Sequence, residues 1–374
     1  MKRRISALVL ALVLCMSIAP VSVRAAGPAV VPSPQNFVVD GKAVKAEIYN
    51  IDGSNYFKLR DIAMLLKDTK ARFSVDYDAK TRLINLIPDA EYVPDGSELK
   101  TGTDKSATCV ASTQGVTVQG EESGLRGYNI GGNNFFKLRD LGTAMGFFVG
   151  YEQDSNTAYI NSAYYIEHTD YSDGLPVSCF FEKPRFNGNS DILIGIEEKF
   201  DMLEEAFAAD HAESIKGYAR EALEGSSYPP TAEDPYIAEW HATVYTCTDD
   251  LVSVGIGYDW YAGGVYDYGM SCYNFSGQTG ATVYLTDVVD GTEAEIKETI
   301  IAAMLEQYAD VNIEEAGIMM TPMEAIREKD IKDFSFYVLD GYVHVFFSKY
   351  EITFGAAGAF DVVLPEPAQT VTKG

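Results

Sequence analysis

Tyr49-Asn-Ile-Asp-Gly-Ser-Asn-Tyr-Phe-Lys-Leu-Arg-Asp-Ile62 returns further along the chain as Tyr128-Asn-Ile-Gly-Gly-Asn-Asn-Phe-Phe-Lys-Leu-Arg-Asp-Leu141, identical at ten of fourteen positions. A match of that length is an internal duplication, and its local chemistry sets the elements. In each copy a strand runs into an Asp-Gly or Gly-Gly turn, dipeptides suited to a tight hairpin. Asn55 or Asn134 then stands near a helix start, and Leu59, Ile62, Ala63 and Leu66 take the spacing of one helical face. A second strand pair follows each helix, with Phe73, Val75 and Tyr77 in the first copy and Phe148, Val149 and Tyr151 in the second. One copy is too short to bury a core of its own, so the two are expected to form one compact α+β unit.

Ahead of the repeat, Lys2, Arg3 and Arg4 precede an apolar run from Ile5 to Ile18, and Val23-Arg24-Ala25-Ala26 offers small residues to a signal peptidase. Residues 1–26 are expected to be a cleaved secretory signal, which makes the protein secreted or cell-wall associated. The alternative is a retained anchor, but the run is short of the roughly 20 residues of a bilayer span and Pro20 interrupts it. Nothing later in the chain is apolar enough to span a membrane. The formal charge is −26, and −30 once Lys2, Arg3, Arg4 and Arg24 are removed with the signal. Such a surface repels nucleic acid and anionic polymers and favours cationic partners, although plain solubility outside the cell explains it too. Cys109, Cys179, Cys247 and Cys272 remain after cleavage, which leaves three disulfide connectivities or free thiols open.

The Asn-(Tyr/Phe)-Phe-Lys-Leu-Arg-Asp motif and its short helix resemble the copper amine oxidase N-terminal-like domain, or stalk domain, over residues 34–165. The resemblance implies a spacer or a wall-binding module of Gram-positive envelopes, remote from any copper chemistry. The sets Lys58, Arg60, Asp61 and Lys137, Arg139, Asp140 are either a binding face or, in the preferred reading, Arg-Asp ion pairs that fix the helix against the sheet. Oxidase activity is not expected. Tyr266-Asp267-Tyr268 resembles part of the quinone motif, but Val265 stands where Asn is required. The four histidines, His168, His211, His241 and His344, include no His-x-His pair to ligate copper.

Residues 166–176, rich in Asp, Ser, Gly and Thr, read as a linker into a second domain over 177–365, followed by a tail, 366–374. Cys179-Phe-Phe opens that domain as a strand. Ile196, Phe200, Leu203 and Phe207 keep helical spacing along a segment that continues to about Leu223. From His241 strands dominate, leading into the aromatic run Tyr258-Asp-Trp-Tyr-Ala-Gly-Gly-Val-Tyr-Asp-Tyr268, whose turn falls at Gly263 and Gly264. Thr292 with Glu295 predicts a capping box, and Thr321-Pro322 with Glu324 predicts another. Phe334 to Phe347 reads as a hairpin turning at Asp340-Gly341, with a last strand at Phe360, Val362 and Leu364.

Three stretches of this half, Val252-Ser-Val-Gly-Ile-Gly-Tyr-Asp259, Asn274 to Asp287 and Val345 to Gly358, resemble DUF3298- and DUF4163-type domains. These occur in lysozyme-sensing anti-sigma factors and in the non-catalytic N-terminal region of peptidoglycan deacetylases. The resemblance implies an α+β domain that recognises a macromolecule at the cell surface, with a lysozyme-like cationic protein or peptidoglycan as the partner. Only Met1 to Arg4 precede the apolar run and no metal-binding catalytic domain follows Pro365, so neither sigma-factor control nor deacetylation is expected. Tyr258, Trp260, Tyr261, Tyr266 and Tyr268 are candidate binding residues because rigid aromatic rings suit protein and glycan partners alike. Sheet core is the competing reading. Lys349 and Tyr350 join the candidates from the segment closest to the family motif.

No nucleophile elbow, phosphate loop, dinucleotide fingerprint or His-Glu-x-x-His occurs, and Asp170-Tyr-Ser-Asp-Gly174 lacks calcium-loop spacing. The expectation is a two-domain α+β binding protein with no catalytic residue, cofactor or metal. The alternatives are an enzyme acting on cell-wall glycans and a purely structural spacer.

Overall fold

The computed structural model describes residues 28–188, 190–317 and 319–369, so the expected signal peptide and residues 370–374 lie outside the described part. The architecture is α+β and rich in strand, with five sheets and a few helices. Among the described residues no helix is long and apolar enough to cross a membrane.

The duplication extends well past the fourteen-residue motif. The first copy runs Val30–Pro32, a hairpin Asn36–Val39 and Lys42–Val44, a hairpin Ile48–Ile51 and Ser54–Lys58, helix Leu59–Leu66, and a hairpin Phe73–Asp78 and Leu83–Pro88. The second repeats this order with Val110–Ala111, Gly115–Val118 and Glu121–Glu122, Gly127–Ile130 and Asn133–Lys137, helix Leu138–Met145, and Phe148–Glu152 and Thr157–Asn161. Asp52-Gly53 and Gly131-Gly132 make the motif hairpins with positive φ at both turn residues, the conformation that selects Gly there.

The copies meet strand to strand, with Phe57 opposite Phe136 in an antiparallel pair at the centre of a six-stranded sheet. They also exchange strands. Leu83–Pro88 of the first copy pairs in parallel with Gly115–Val118 of the second, and Thr157–Asn161 of the second pairs in parallel with Asn36–Val39 of the first. Each outer sheet is therefore built from one hairpin of each copy. Phe57, Ile62, Phe73, Phe136, Leu141 and Phe147, all buried, share one core under the three sheets.

Residues 164–170 correct the expected linker. Tyr164–Asp170 is a strand paired along its length with Val177–Phe186, which leaves only the turn at 171–176 as connection. Tyr164 is buried and Ile166 half-buried, while the exposed His168 and Asp170 lent the segment its linker-like composition. The full sheet runs Tyr164–Asp170, Val177–Phe186, Tyr236–Cys247, Leu251–Tyr261, Asp267–Ser276. Helix Asp191–Phe207 continues through one wider turn, Ala208–Ala212, into Glu213–Gly225 and buries Ile196, Phe200, Phe207 and Ile215 against this sheet. Buried Lys183 and half-buried Arg185 bind the sheet to that helix through Asp201, with Glu204 on Lys183 and Glu167 on Arg185.

Both expected capping boxes form, starting helices Glu293–Gln307 and Pro322–Glu328. They pack on a three-stranded sheet, Ser335–Leu339, Tyr342–Phe347 and Phe360–Pro367, over a core that includes Ile300, Val343 and Val345. The expected tail begins inside that last strand, and its continuation is pinned where Ala368 N donates to Gly341 O and Gln369 N to Val288 O. Among the described residues Cys109, Cys179, Cys247 and Cys272 are free thiols.

Candidate functional site

Alternation along Leu251–Tyr261 sends Val252, Val254, Ile256, Tyr258 and Trp260 to one face of the five-stranded sheet and Ser253, Gly255, Gly257 and Asp259 to the other. The first face lies under the helices. The second is covered at one end only, where the three-stranded sheet sits over it. Val338 N donates to Ser253 Oγ (3.0 Å), and Asn274 Nδ2 donates to Phe336 O (2.7 Å). The other end is polar and open, and the register brings Glu239 beside Asp259 and Asp259 beside Tyr268.

There His241 Nε2 lies 3.3 Å from Glu239 Oε2 and 3.6 Å from Asp259 Oδ2, while its Nδ1 lies 3.8 Å from Glu182 Oε2. The remaining carboxylate oxygens are occupied: the Ser178 hydroxyl donates to Glu239 Oε1 and the Tyr266 hydroxyl to Asp259 Oδ1. The neighbouring Glu182 carboxylate raises the His241 pKa above its ordinary 6.5, against the effect of burial. Burial would lift Glu182, but the adjacent His241 holds it below the usual carboxylate range. The bond to Asp259 pushes the Tyr266 phenol up to about 12. Donor atoms of Glu239, His241 and Asp259 lie within 4.8 Å of one another, so these three are the residues that could take a cation, with Glu182 orienting the imidazole. No His-x-His pair marks such a grouping in the sequence. Glu239-Trp-His241 places two donors on one strand face in the same way.

The aromatic run is divided by the same alternation. Tyr258 stacks on Trp240 at 5.6 Å and Trp260 meets His211 at 5.9 Å, both on the helix side, and Tyr261 packs edge-on against Tyr236. Tyr266 and Tyr268 stay exposed at the rim of the open face, at 44 and 37 %. Lys349 joins them: its ammonium lies 5.6 Å from the Tyr268 ring centre and 5.0 Å from that of Tyr350, and donates to Tyr266 O at 3.2 Å. Tyr350 is exposed yet held at φ +70, a conformation costly for a bulky residue, and its ring approaches Gly355 so closely that a Cβ there would lie 2.1 Å away. Four of the seven candidates thus gather at one rim, and three line the opposite side or the sheet end.

The repeat-motif residues part company between copies. Asn55 and Asn134 sit inside strands Ser54–Lys58 and Asn133–Lys137 instead of at helix starts, and each donates its amide to a glutamine of its own copy, Gln35 (2.8 Å) and Gln114 (2.6 Å). The expected Arg-Asp pair is replaced by a buried Lys58–Asp61 pair at 3.2 Å, because Lys58, the last strand residue, reaches inward one helical turn ahead of Asp61. Lys58 Nζ also donates to Ser97 O (2.7 Å) and Asp61 Oδ1 accepts from Leu99 N (2.9 Å). Arg60 points to Tyr92 and Asp95. In the second copy Lys137 is half-buried and Arg139 and Asp140 are exposed. Among the described residues none of the three forms an ion pair, and they line a cleft of about 810 Å³.

No protein-family model matches this chain, and no curated protein sequence matches it. Among solved structures it is similar to a member of the DUF3298 family from Bacteroides fragilis, at 14% identity over 56% of this chain and 95% of that one, with a TM-score of 0.40. It is also similar to a DUF3298 family protein from Pseudomonas aeruginosa PAO1, at 16% identity over 50% of this chain and 80% of that one, with a TM-score of 0.31.

Proposed function

We propose that this chain is an exported, non-catalytic cell-envelope binding protein whose open sheet face recognises a cationic macromolecule at the cell surface, a lysozyme-like hydrolase. The observation that carries the reading is the face itself: Glu182, Glu239 and Asp259 grouped on rigid strands and rimmed by exposed Tyr266, Tyr268 and Tyr350. Carboxylates in a molecule of charge −26 steer a basic partner and set its orientation, and the tyrosines supply desolvated contact area at low entropic cost. The repeat unit serves as the stalk that carries this face.

The test mixes the processed chain with a basic lysozyme and follows heat of binding and the lysis rate of a wall suspension together. Binding that weakens with salt and slows lysis supports the reading, and Tyr266→Ala with Tyr268→Ala is expected to weaken it at least roughly tenfold. No heat and unchanged lysis overturn the lysozyme partner. Co-sedimentation with purified peptidoglycan in that case identifies the wall polymer as ligand. New muropeptides formed by the chain alone would refute the non-catalytic assignment.

A further inference from the structure

We propose that the cleft over Lys137 and Asp140 in the second copy binds a short polypeptide turn carrying an acidic residue, held as Lys58 and Asp61 hold residues 97–99 of this chain. The protein contains its own example of such a complex. In the first copy a turn crosses the motif after the outer hairpin, giving Lys58 a main-chain carbonyl at Ser97 and giving Asp61 a main-chain N–H two residues on, at Leu99. Two charge-assisted bonds to the main chain make a clamp that reads backbone geometry more than side chains. The flank of the same segment brings acid to the motif's arginine, with Asp95 3.5 Å from Arg60 and Glu98 joined to it through the Tyr92 hydroxyl.

The second copy keeps every group of that clamp and lacks the occupant. Lys137, Arg139 and Asp140 correspond to Lys58, Arg60 and Asp61, and the clamp strand Asn133–Lys137 lies directly beside its counterpart Ser54–Lys58. After the outer hairpin the chain departs into Tyr164–Asp170 and the next sheet, so no equivalent of residues 92–99 follows. The floor is also cut back. The register equates Ala158 with Ile84, opposite Tyr151 and Tyr77, so a methyl replaces a sec-butyl side chain there. Ala158, Gly150 and Tyr151 all line the cleft, whose volume of about 810 Å³ is in the range that takes a ligand of several residues. The lysine and aspartate that lie buried beneath a turn in the first copy stand half-buried and exposed in the second, where a recruited segment would cover them. This assignment is independent of the lysozyme reading, which concerns the other domain.

The probe is a capped synthetic peptide with the sequence of residues 92–100, dye-labelled, titrated into the whole processed chain by fluorescence anisotropy. Backbone chemical shifts of the labelled protein map the contact. Saturable binding with shifts at Lys137 to Asp140 is expected. Lys137→Met and Asp140→Asn should each reduce the association constant roughly ten- to a hundredfold, the loss of one charge-assisted bond. N-methylation of the peptide's leucine nitrogen should do the same, because it removes the N–H that Asp140 would accept. Both variants lie at exposed or half-exposed positions, and unchanged urea midpoints confirm that they fold. Three results overturn the proposal: no binding at millimolar peptide, binding indifferent to both substitutions, or shifts confined to the first copy through displacement of its own turn. Shifts at Lys137 and Asp140 with soluble muropeptides but not with the peptide would overturn it too, by making the ligand a wall fragment.

Discussion

In the first copy of the repeat Asp61 is fully buried against Lys58 beneath residues 97–99, while in the second Asp140 is exposed and Lys137 has no carboxylate partner among the described residues. The two sites share Lys-Leu-Arg-Asp, the same strand-to-helix junction and helices of equal length, Leu59–Leu66 and Leu138–Met145. What separates them is what the chain does next. Where it folds back, the motif becomes internal structure; where it leaves for another sheet, the same side chains face water. Identity of residues therefore does not settle whether a motif holds a fold together or waits for a partner, because desolvation is supplied from outside the motif.

Four perturbations bear on that contrast. Lys58→Met should cost about 3–5 kcal/mol, since it strands the Asp61 carboxylate in the interior, whereas Lys137→Met should cost less than about 0.5 kcal/mol. Urea unfolding of the two variants measures this, and equal losses would erase the distinction. Core substitutions should instead treat the copies alike. Ile62→Ala and Leu141→Ala, both at fully buried positions, should each lose about 2–5 kcal/mol by the same assay, and a wide gap between them would show that one copy folds on its own. Gln35→Ala and Gln114→Ala remove the matched bonds from Asn55 and Asn134, and each should cost about 0.5–1.5 kcal/mol.

The smallest effect is a pH response confined to the first copy. Burial would raise the Glu98 pKa, but the Tyr92 hydroxyl and backbone N–H groups outweigh it and hold the carboxyl below its ordinary 4.5. A depressed carboxylate pKa contributes stability that is complete above the ordinary value and fades as pH falls through the folded one. The Asp95 and Gly96 amides, which donate to Glu98, should therefore lose their bonded chemical shifts as pH drops below about 4.5, and Glu98→Gln should abolish the transition.

Much of this molecule could be read from residues alone, for stated reasons. The duplication, the motif helix, both capping boxes and the Asp340-Gly341 turn are local signals, and local physics decides them. The strand at Tyr164–Asp170 escaped because its outward residues are polar, which composition alone cannot separate from a linker. The turn over Lys58 and Asp61 escaped for a different reason. Its stabilising contacts are main-chain groups of Ser97 and Leu99, and a main-chain bond leaves no trace in side-chain identity. Tyr266, Tyr268, Lys349 and Tyr350 were singled out one by one, but that they meet at one rim depends on a hairpin and a loop far apart in sequence. Glu239 and His241 alternate along one strand, a local pattern that a search for paired histidines passes over. Asp259 joins them only through cross-strand register.

The exchanged strands set an order of events for a chain emerging from the ribosome. Asn36–Val39 is made early, yet its parallel partner Thr157–Asn161 comes last in the unit, and contacts such as Asn36 Nδ2 to Ser155 O close a loop of 119 residues. Until then the early hairpin exposes an unpaired edge, and the nascent first copy has nothing to settle into. Pairings of such separation slow folding, so completion of the unit is expected only after the second copy has been synthesised. In the exported protein proposed above, that delay would keep the unit unfolded while the chain passes a narrow channel.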